Sequence, residues 1–148
     1  MTASPLDDTY FMKQALAEAR TAASEGEIPV GAVIVCNNQI IARAHNQTEL
    51  LNDATAHAEI LAVTAASGTL AAKYLTECTL YVTVEPCVMC AGAIGWAQLS
   101  KVVYGASDEK RGFRRYAPQA LHPKTVVLSG ILEAECAEEM QKFFRERR

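Results

Sequence analysis

The sequence predicts an α/β fold in one domain covering residues 1–148, and three observations carry that expectation. Short runs rich in β-branched and aromatic residues alternate with longer segments whose apolar residues recur at helical spacing. Between Gln39 and Tyr104 the order is strand, helix, strand, helix, strand, which parallel crossovers require. At 148 residues, half of them hydrophobic, the chain is long enough for one core and too short for a second.

The elements follow in order. Asp7 and Asp8 precede Tyr10-Phe11-Met12, Ala15-Leu16 and Ala19, which is a helix behind an N-cap, ending near Gly26. Pro29–Cys36 is a β-rich run, Asn37-Asn38 is turn chemistry that tolerates positive φ, and Gln39–Ala44 is a second strand, so the two form a hairpin. A second helix begins around Thr55–His57 and stops at Gly68, and Thr79–Val84 is the third strand. Pro86 suits the first turn of a third helix running to about Gln98. Val102–Tyr104 and Thr125–Leu128 are the fourth and fifth strands, separated by one long irregular stretch, Ala106–Lys124, and the last helix runs from about Leu132 to the C-terminus.

Right-handed crossovers put the second and third helices on one face of the sheet, each starting just beyond the carboxyl end of a strand. That edge therefore receives T-A-H-A-E (Thr55–Glu59) and T-V-E-P-C-V-M-C (Thr83–Cys90) together. Cys87 and Cys90 can aim both sulfurs at one point, and His57 can supply a third ligand, which makes a zinc site with one position open. Water in an open position is acidified into a nucleophile near neutral pH, and helix N-termini favour thiolates over thiols. Glu59, two residues from His57, is the candidate proton carrier. His-x-Glu followed by Pro-Cys-x-x-Cys is also the pattern of zinc nucleobase deaminases.

Blander readings of the same residues exist. A Cys-x-x-Cys pair alone also suits a redox couple or half of a structural zinc knuckle. The knuckle would want a fourth Cys or His, and His45 and His122 are the only other histidines. Cys36, Cys78 and Cys136 stand in apolar surroundings where a free Cys serves as a small core residue. Glu59 would in that case merely complement the dipole of its helix.

Five cysteines, no charged-then-apolar leader and no apolar run approaching about 20 residues lead to the expectation of a cytoplasmic protein with free thiols and no membrane span. The formal net charge is −3, yet eight of the fourteen basic residues fall in two clusters, Lys110/Arg111/Arg114/Arg115 and Lys142/Arg145/Arg147/Arg148. An acidic body with two basic segments is compatible with a local phosphate-binding surface. For the tail, the competing account is a helix C-terminus complemented by cations. On the last helix Leu132, Cys136, Met140 and Phe143 form one apolar stripe, and Phe144 lies about 100° around from Phe143. An exposed Phe144 beside Arg145 and the following arginines is suited to stacking on a splayed RNA base while the arginines hold phosphates. The alternative is that Phe144 packs on the first helix or on a second copy of the chain.

With H-A-E at 57–59 and P-C-V-M-C at 86–90, the chain resembles the cytidine-deaminase superfamily, and within it the bacterial tRNA-specific adenosine deaminases. The likeness runs nearly end to end: I-P-V-G-A-V-I-V from Ile28, the Asn-Asn turn, Asn46, D-A-T-A-H-A-E-I, T-L-Y-V-T-V-E-P-C-V-M-C-A-G-A-I, V-V-Y-G-A-S-D, S-G-I-L-E-A-E-C and F-F-R-E-R-R. The resemblance implies a three-layer α/β/α cytidine deaminase-like fold with a mixed five-stranded sheet, assembled as a homodimer. It implies one Zn2+ per chain on His57, Cys87 and Cys90, Glu59 as proton shuttle, and conversion of adenosine to inosine at the wobble position of a tRNA anticodon stem-loop. It further implies that Asn46 binds the purine edge, that the backbone around Ala58 meets the side of the displaced group, and that Pro86 belongs to the same substrate site. Phe144 and Arg145 would be RNA contacts. One departure is visible: where the family usually has a Gly/Ala-rich loop after the Asp108 region, this chain reads E-K-R-G-F-R-R-Y-A-P-Q-A-L-H-P-K over Glu109–Lys124.

Two other functions use parts of the same pattern. A free-base or nucleoside deaminase acting on guanine or cytosine would share the zinc chemistry without a nucleic-acid surface. A catalytically silent RNA-binding partner subunit would keep zinc only for folding, and retention of Glu59 argues against it.

Overall fold

A computed structural model of the chain describes residues 7–147. Helix α1 (Asp8–Ser24) starts where Asp7 acts as N-cap, its carboxylate accepting from the Tyr10 N–H at 2.9 Å. Strands β1 (Gly31–Cys36) and β2 (Gln39–His45) form the expected hairpin, with Asn37 and Asn38 at φ 52° and 62°, the two positive values a tight two-residue turn needs. Then come α2 (Ala58–Leu70), β3 (Cys78–Val84), α3 (Val88–Ala97), β4 (Lys101–Ala106), α4 (Phe113–Tyr116), β5 (Val126–Ser129) and α5 (Glu133–Glu146). The short α4 lies inside the stretch expected to be irregular. Phe113, 3% exposed, draws it onto the core beneath α2 and α3.

The five strands are ordered β2-β1-β3-β4-β5, with β1 antiparallel to both neighbours and β3, β4 and β5 parallel. This is the expected mixed sheet, and β2 runs parallel to β3 with β1 between them. Alternate residues face two cores. Ile34, Leu80, Val82, Val102 and Tyr104 meet Ala62, Ala66, Ala91 and Ile94 of α2 and α3 on one face. Val33, Val35, Tyr81 and Val103 meet Phe11, Met12, Leu16 and Cys136 of α1 and α5 on the other. The layers are thus α/β/α, with α2 and α3 on one side as the crossover rule requires. Gly31 lets α1 approach closely, because a Cβ there would collide with the backbone of Ala15 and Ala19.

Two boundaries differ from expectation in a way that matters for the site. Helix α2 begins at Ala58 with His57 as its N-cap, and α3 begins at Val88 with Cys87 as its N-cap. Pro86 therefore stands before the cap rather than in the first turn, and its carbonyl accepts from the Phe113 N–H at 2.9 Å. Among the described residues no helix is long and apolar enough to cross a membrane.

Candidate active site

Both N-caps are extended residues, His57 at φ −76°, ψ 153° and Cys87 at φ −74°, ψ 174°. This conformation turns their side chains off the helix ends toward each other, while Cys90, fully buried, joins them from the first turn of α3. His57 Nδ1 lies 3.4 Å from Cys90 Sγ and 3.7 Å from Cys87 Sγ. Among the described residues these three are the one group of His, Cys, Asp and Glu whose ligand atoms converge, all within 4.8 Å of one another. A tetrahedral zinc with Zn–N about 2.0 Å and Zn–S about 2.3 Å has an N···S edge of about 3.5 Å. The donor set and its spacing fit that ion, with Nδ1 as the histidine ligand atom. His45 is not part of the group; its two ring nitrogens sit 2.9 Å from Glu18 and 2.9 Å from Glu25. Cys36 and Cys78 face each other across β1 and β3, and Cys136 lies on the opposite face of the sheet.

The electrostatics suit a cation. The Cys87 thiol is drawn down to about 4, chiefly by the hydrogen bond from the Cys90 thiol, with His57 adding to it. Cys90 is pushed far up by that same shared proton and by burial, and the hydrogen bond to Cys87 raises His57. One thiolate is thus favoured at neutral pH, and a metal would displace the proton that remains between the sulfurs. Glu59, in the first turn of α2 and 4% exposed, is raised to about 7, mainly by burial. A carboxyl near neutrality can both accept and release a proton at working pH.

Of the residues expected to touch substrate, three adjoin this group. Ala58 is fully buried as the first residue of α2, and Pro86 is buried directly before Cys87. Asn46 is 5% exposed, and its N–H donates to Val30 O at 3.0 Å. The next residue, Gln47, donates to the carbonyl of Ala56 at 3.0 Å, so Asn46 is stitched beside the turn that presents His57. Asn46 directly follows β2, which ends at His45, and stands two residues before the turn that starts at Thr48. Phe144 and Arg145 are not brought to the His57/Cys87/Cys90 group. They sit at the end of α5, on the other face of the sheet, Phe144 47% exposed and edge-on to Phe143, and Arg145 paired with Glu138 at 2.9 Å. Arg147 lies over the Phe143 ring at 4.0 Å, and Arg148, the last of the basic tail, lies outside the described residues.

Two buried carboxylates escaped sequence reasoning. Glu27 accepts from the N–H groups of Glu49 and Leu50 at 3.0 and 2.8 Å, which fixes the loop after Asn46. Glu85 accepts from the N–H groups of Asp108 and Arg114 at 3.0 and 3.1 Å. The available signal was slight: Glu85 directly follows the buried strand β3, and a carboxylate there needs partners once buried, whereas nothing in the sequence singled out Glu27 in the connection between α1 and β1.

The match to known proteins agrees with this geometry. The family model described as MafB19-like deaminase covers residues 6–148. A tRNA-specific adenosine deaminase of Agrobacterium fabrum is 45% identical over 145 residues, 95% of each chain. A solved structure from studies of A-to-I editing by tRNA:A34 deaminases at the wobble position of transfer RNA superposes with a TM-score of 0.83 at 44% identity, covering 88% of this chain and 99% of that one. A guanine deaminase of Bacillus subtilis is 43% identical with a TM-score of 0.66, over 68% of this chain and 65% of that chain. With a deaminase model spanning nearly the whole sequence and such identity over nearly its full length, this chain belongs to the MafB19-like deaminase family, among the tRNA-specific adenosine deaminases.

Proposed function

We propose that this protein is a zinc-dependent enzyme that deaminates adenosine to inosine at the wobble position of a tRNA anticodon. The observation that carries the reading is the convergence of His57, Cys87 and Cys90 with a buried Glu59 beside them, on a chain matched end to end by tRNA-specific adenosine deaminases. His57, Cys87 and Cys90 would hold the zinc, which when bound would supply an acidified water as nucleophile for the amino-bearing carbon of the ring. Glu59 manages the protons: its carboxylate takes one from the attacking water and passes it to a ring nitrogen, then takes the second from the hydroxyl on the tetrahedral carbon and delivers it to the amino group, which leaves as ammonia as the carbonyl forms. One residue serves both roles because burial keeps it near neutrality and sheltered from bulk water. Asn46 offers an amide donor and acceptor to the purine edge, with Ala58 and Pro86 forming walls of the same site.

Phe144 and Arg145 extend the RNA contact beyond the reacting base, with the exposed ring as a stacking platform. The protein works as a homodimer in the cytoplasm, where thiol ligands stay reduced. The outward side of α3 supports the dimer: Trp96 is 82% exposed, and Val88 and Met89 are exposed beside it, an apolar face that a second copy would cover. A second reading, a free guanine deaminase, is favoured by the likeness to the Bacillus subtilis enzyme. Incubating unmodified tRNA with the protein and sequencing the product separates the two. Inosine at position 34, read as guanosine, supports tRNA editing, and unchanged tRNA alongside rapid loss of free guanine contradicts it.

A further inference from the structure

The carboxylate of Glu85 is 1% exposed and precedes the Pro86-Cys87 turn by a single residue. Its oxygens accept four hydrogen bonds, all from one short segment: the N–H groups of Asp108 and Arg114, and Arg114 Nε and Nη2 at 3.3 and 3.2 Å. That segment is also bonded directly to the metal-ligand turn, through Phe113 N–H to Pro86 O and through a backbone bridge between Gly112 and Cys87. Residue 112 must be glycine for this to close, because a Cβ there would strike the Glu85 carboxylate and the Asp108 carbonyl. The segment carries Lys110, Arg111, Arg114 and Arg115, and Tyr116, 62% exposed, lies under the Arg115 guanidinium. Arg114 is tied to Glu85, so Lys110, Arg111 and Arg115 are the cations left to face a polyanion.

We propose that Glu85 is a positioning residue that holds segment 107–116 as a cationic wall beside Cys87, and so sets the affinity of the site for RNA. The inference rests on the RNA-deaminase reading above. Turning one carboxylate oxygen into an amide NH2 replaces an acceptor by a donor and removes the charge, so one of the two backbone N–H groups and one guanidinium nitrogen lose their acceptor, and the segment then spends part of its time away from the site. The apparent KM rises by the reciprocal of the fraction that stays in place, while chemistry on bound substrate continues.

The test uses Glu85→Gln, which keeps side-chain volume, and Gly112→Ala, which pushes the segment away from the other side of the same contact. Each is compared with wild type for kinetics on an anticodon stem-loop, zinc content, and hydrogen exchange at the Asp108 and Arg114 amides. The expected result for both is a KM raised roughly ten-fold or more, kcat changed far less, full zinc content, and reduced protection at one or both of those amides. An unchanged KM overturns the proposal, and so does zinc lost in step with activity, which would assign Glu85 to holding the metal turn instead. If the wild type itself leaves the stem-loop unedited, the functional reading has failed. Amide exchange then decides the positioning role alone: reduced protection in Glu85→Gln supports it and unchanged protection overturns it.

Discussion

Replacing Glu59 by Gln keeps the side chain's volume and removes its ability to carry a proton, which isolates its chemical role from its packing. General acid–base catalysis supplies ~10²–10⁴ in rate, or about 3–5 kcal/mol of barrier at ~1.36 kcal/mol per decade. The structure argues for the upper part of that range, because among the described residues no other buried carboxylate is free to substitute. The other buried carboxylates among the described residues are Glu27 and Glu85, and each is fully engaged with backbone N–H groups of a flanking loop. Glu59 is also outside the ligand group, so zinc content should remain one per chain. Thermal stability should hold or rise, since an amide avoids the burial that pushes the Glu59 carboxyl up to about 7. Single-turnover inosine formation on a stem-loop, with zinc measured on the same preparation, is the assay. A variant that retains zinc and reacts within ten-fold of wild type would refute the assignment.

Three further outcomes are expected. Alanine at His57, Cys87 or Cys90 should abolish zinc retention and activity together, whereas Cys36→Ser or Cys136→Ala should leave one zinc per chain; loss of zinc in the latter pair would contradict the ligand set. Phe144→Ala should weaken stem-loop binding by ~1–3 kcal/mol with zinc unchanged, and Arg147→Glu should flatten the salt dependence of binding. Equal binding by both variants would remove the α5 end from the RNA contact. His45 is 14% exposed between Glu18 and Glu25, with Arg43 also on Glu18 at 3.8 Å. Burial is the largest influence on it and lowers its pKa, but the two carboxylates together outweigh burial and raise it above 6.5. Its stabilisation is therefore fully present below the unfolded value and is lost as pH rises through the folded one. The Tm gap between wild type and His45→Gln should be widest near pH 5.5 and narrow toward pH 8.5, and a gap independent of pH would refute this.

The convergence of His57, Cys87 and Cys90 was legible because their chemistry and their placement agree. Alternation of strand and helix sends His57 and the Cys87/Cys90 pair to one sheet edge, and no exact helix boundary is needed for that. The boundaries themselves moved. Pro86 reads as a first-turn residue by propensity, but Cys87 takes the cap position of α3 and places the proline ahead of it. The Asn-Asn turn was legible because few residues adopt two consecutive positive φ values so readily. Glu27 and Glu85 were not, since a carboxylate declares its role only through partners 22 to 29 residues away in sequence. The short helix α4 was hidden for a related reason: four residues are too few for a periodic signal, and Phe113 is drawn in by a core assembled elsewhere. Phe144 was read correctly as lying off the buried stripe, because Cys136 and Phe143 are buried while Phe144 is exposed. Its distance from the metal group depends on which face of the sheet α5 covers, and helical spacing alone does not say.

The most direct test of the account is the ratio of kcat/KM for an anticodon stem-loop with adenosine at the wobble position to that for free guanine, measured on zinc-replete protein. The account predicts that the stem-loop is preferred by several orders of magnitude and that its kcat/KM falls steeply with added salt, as a phosphate-contacting substrate requires. Guanine turned over at least as efficiently as the stem-loop, with no salt dependence, would contradict it.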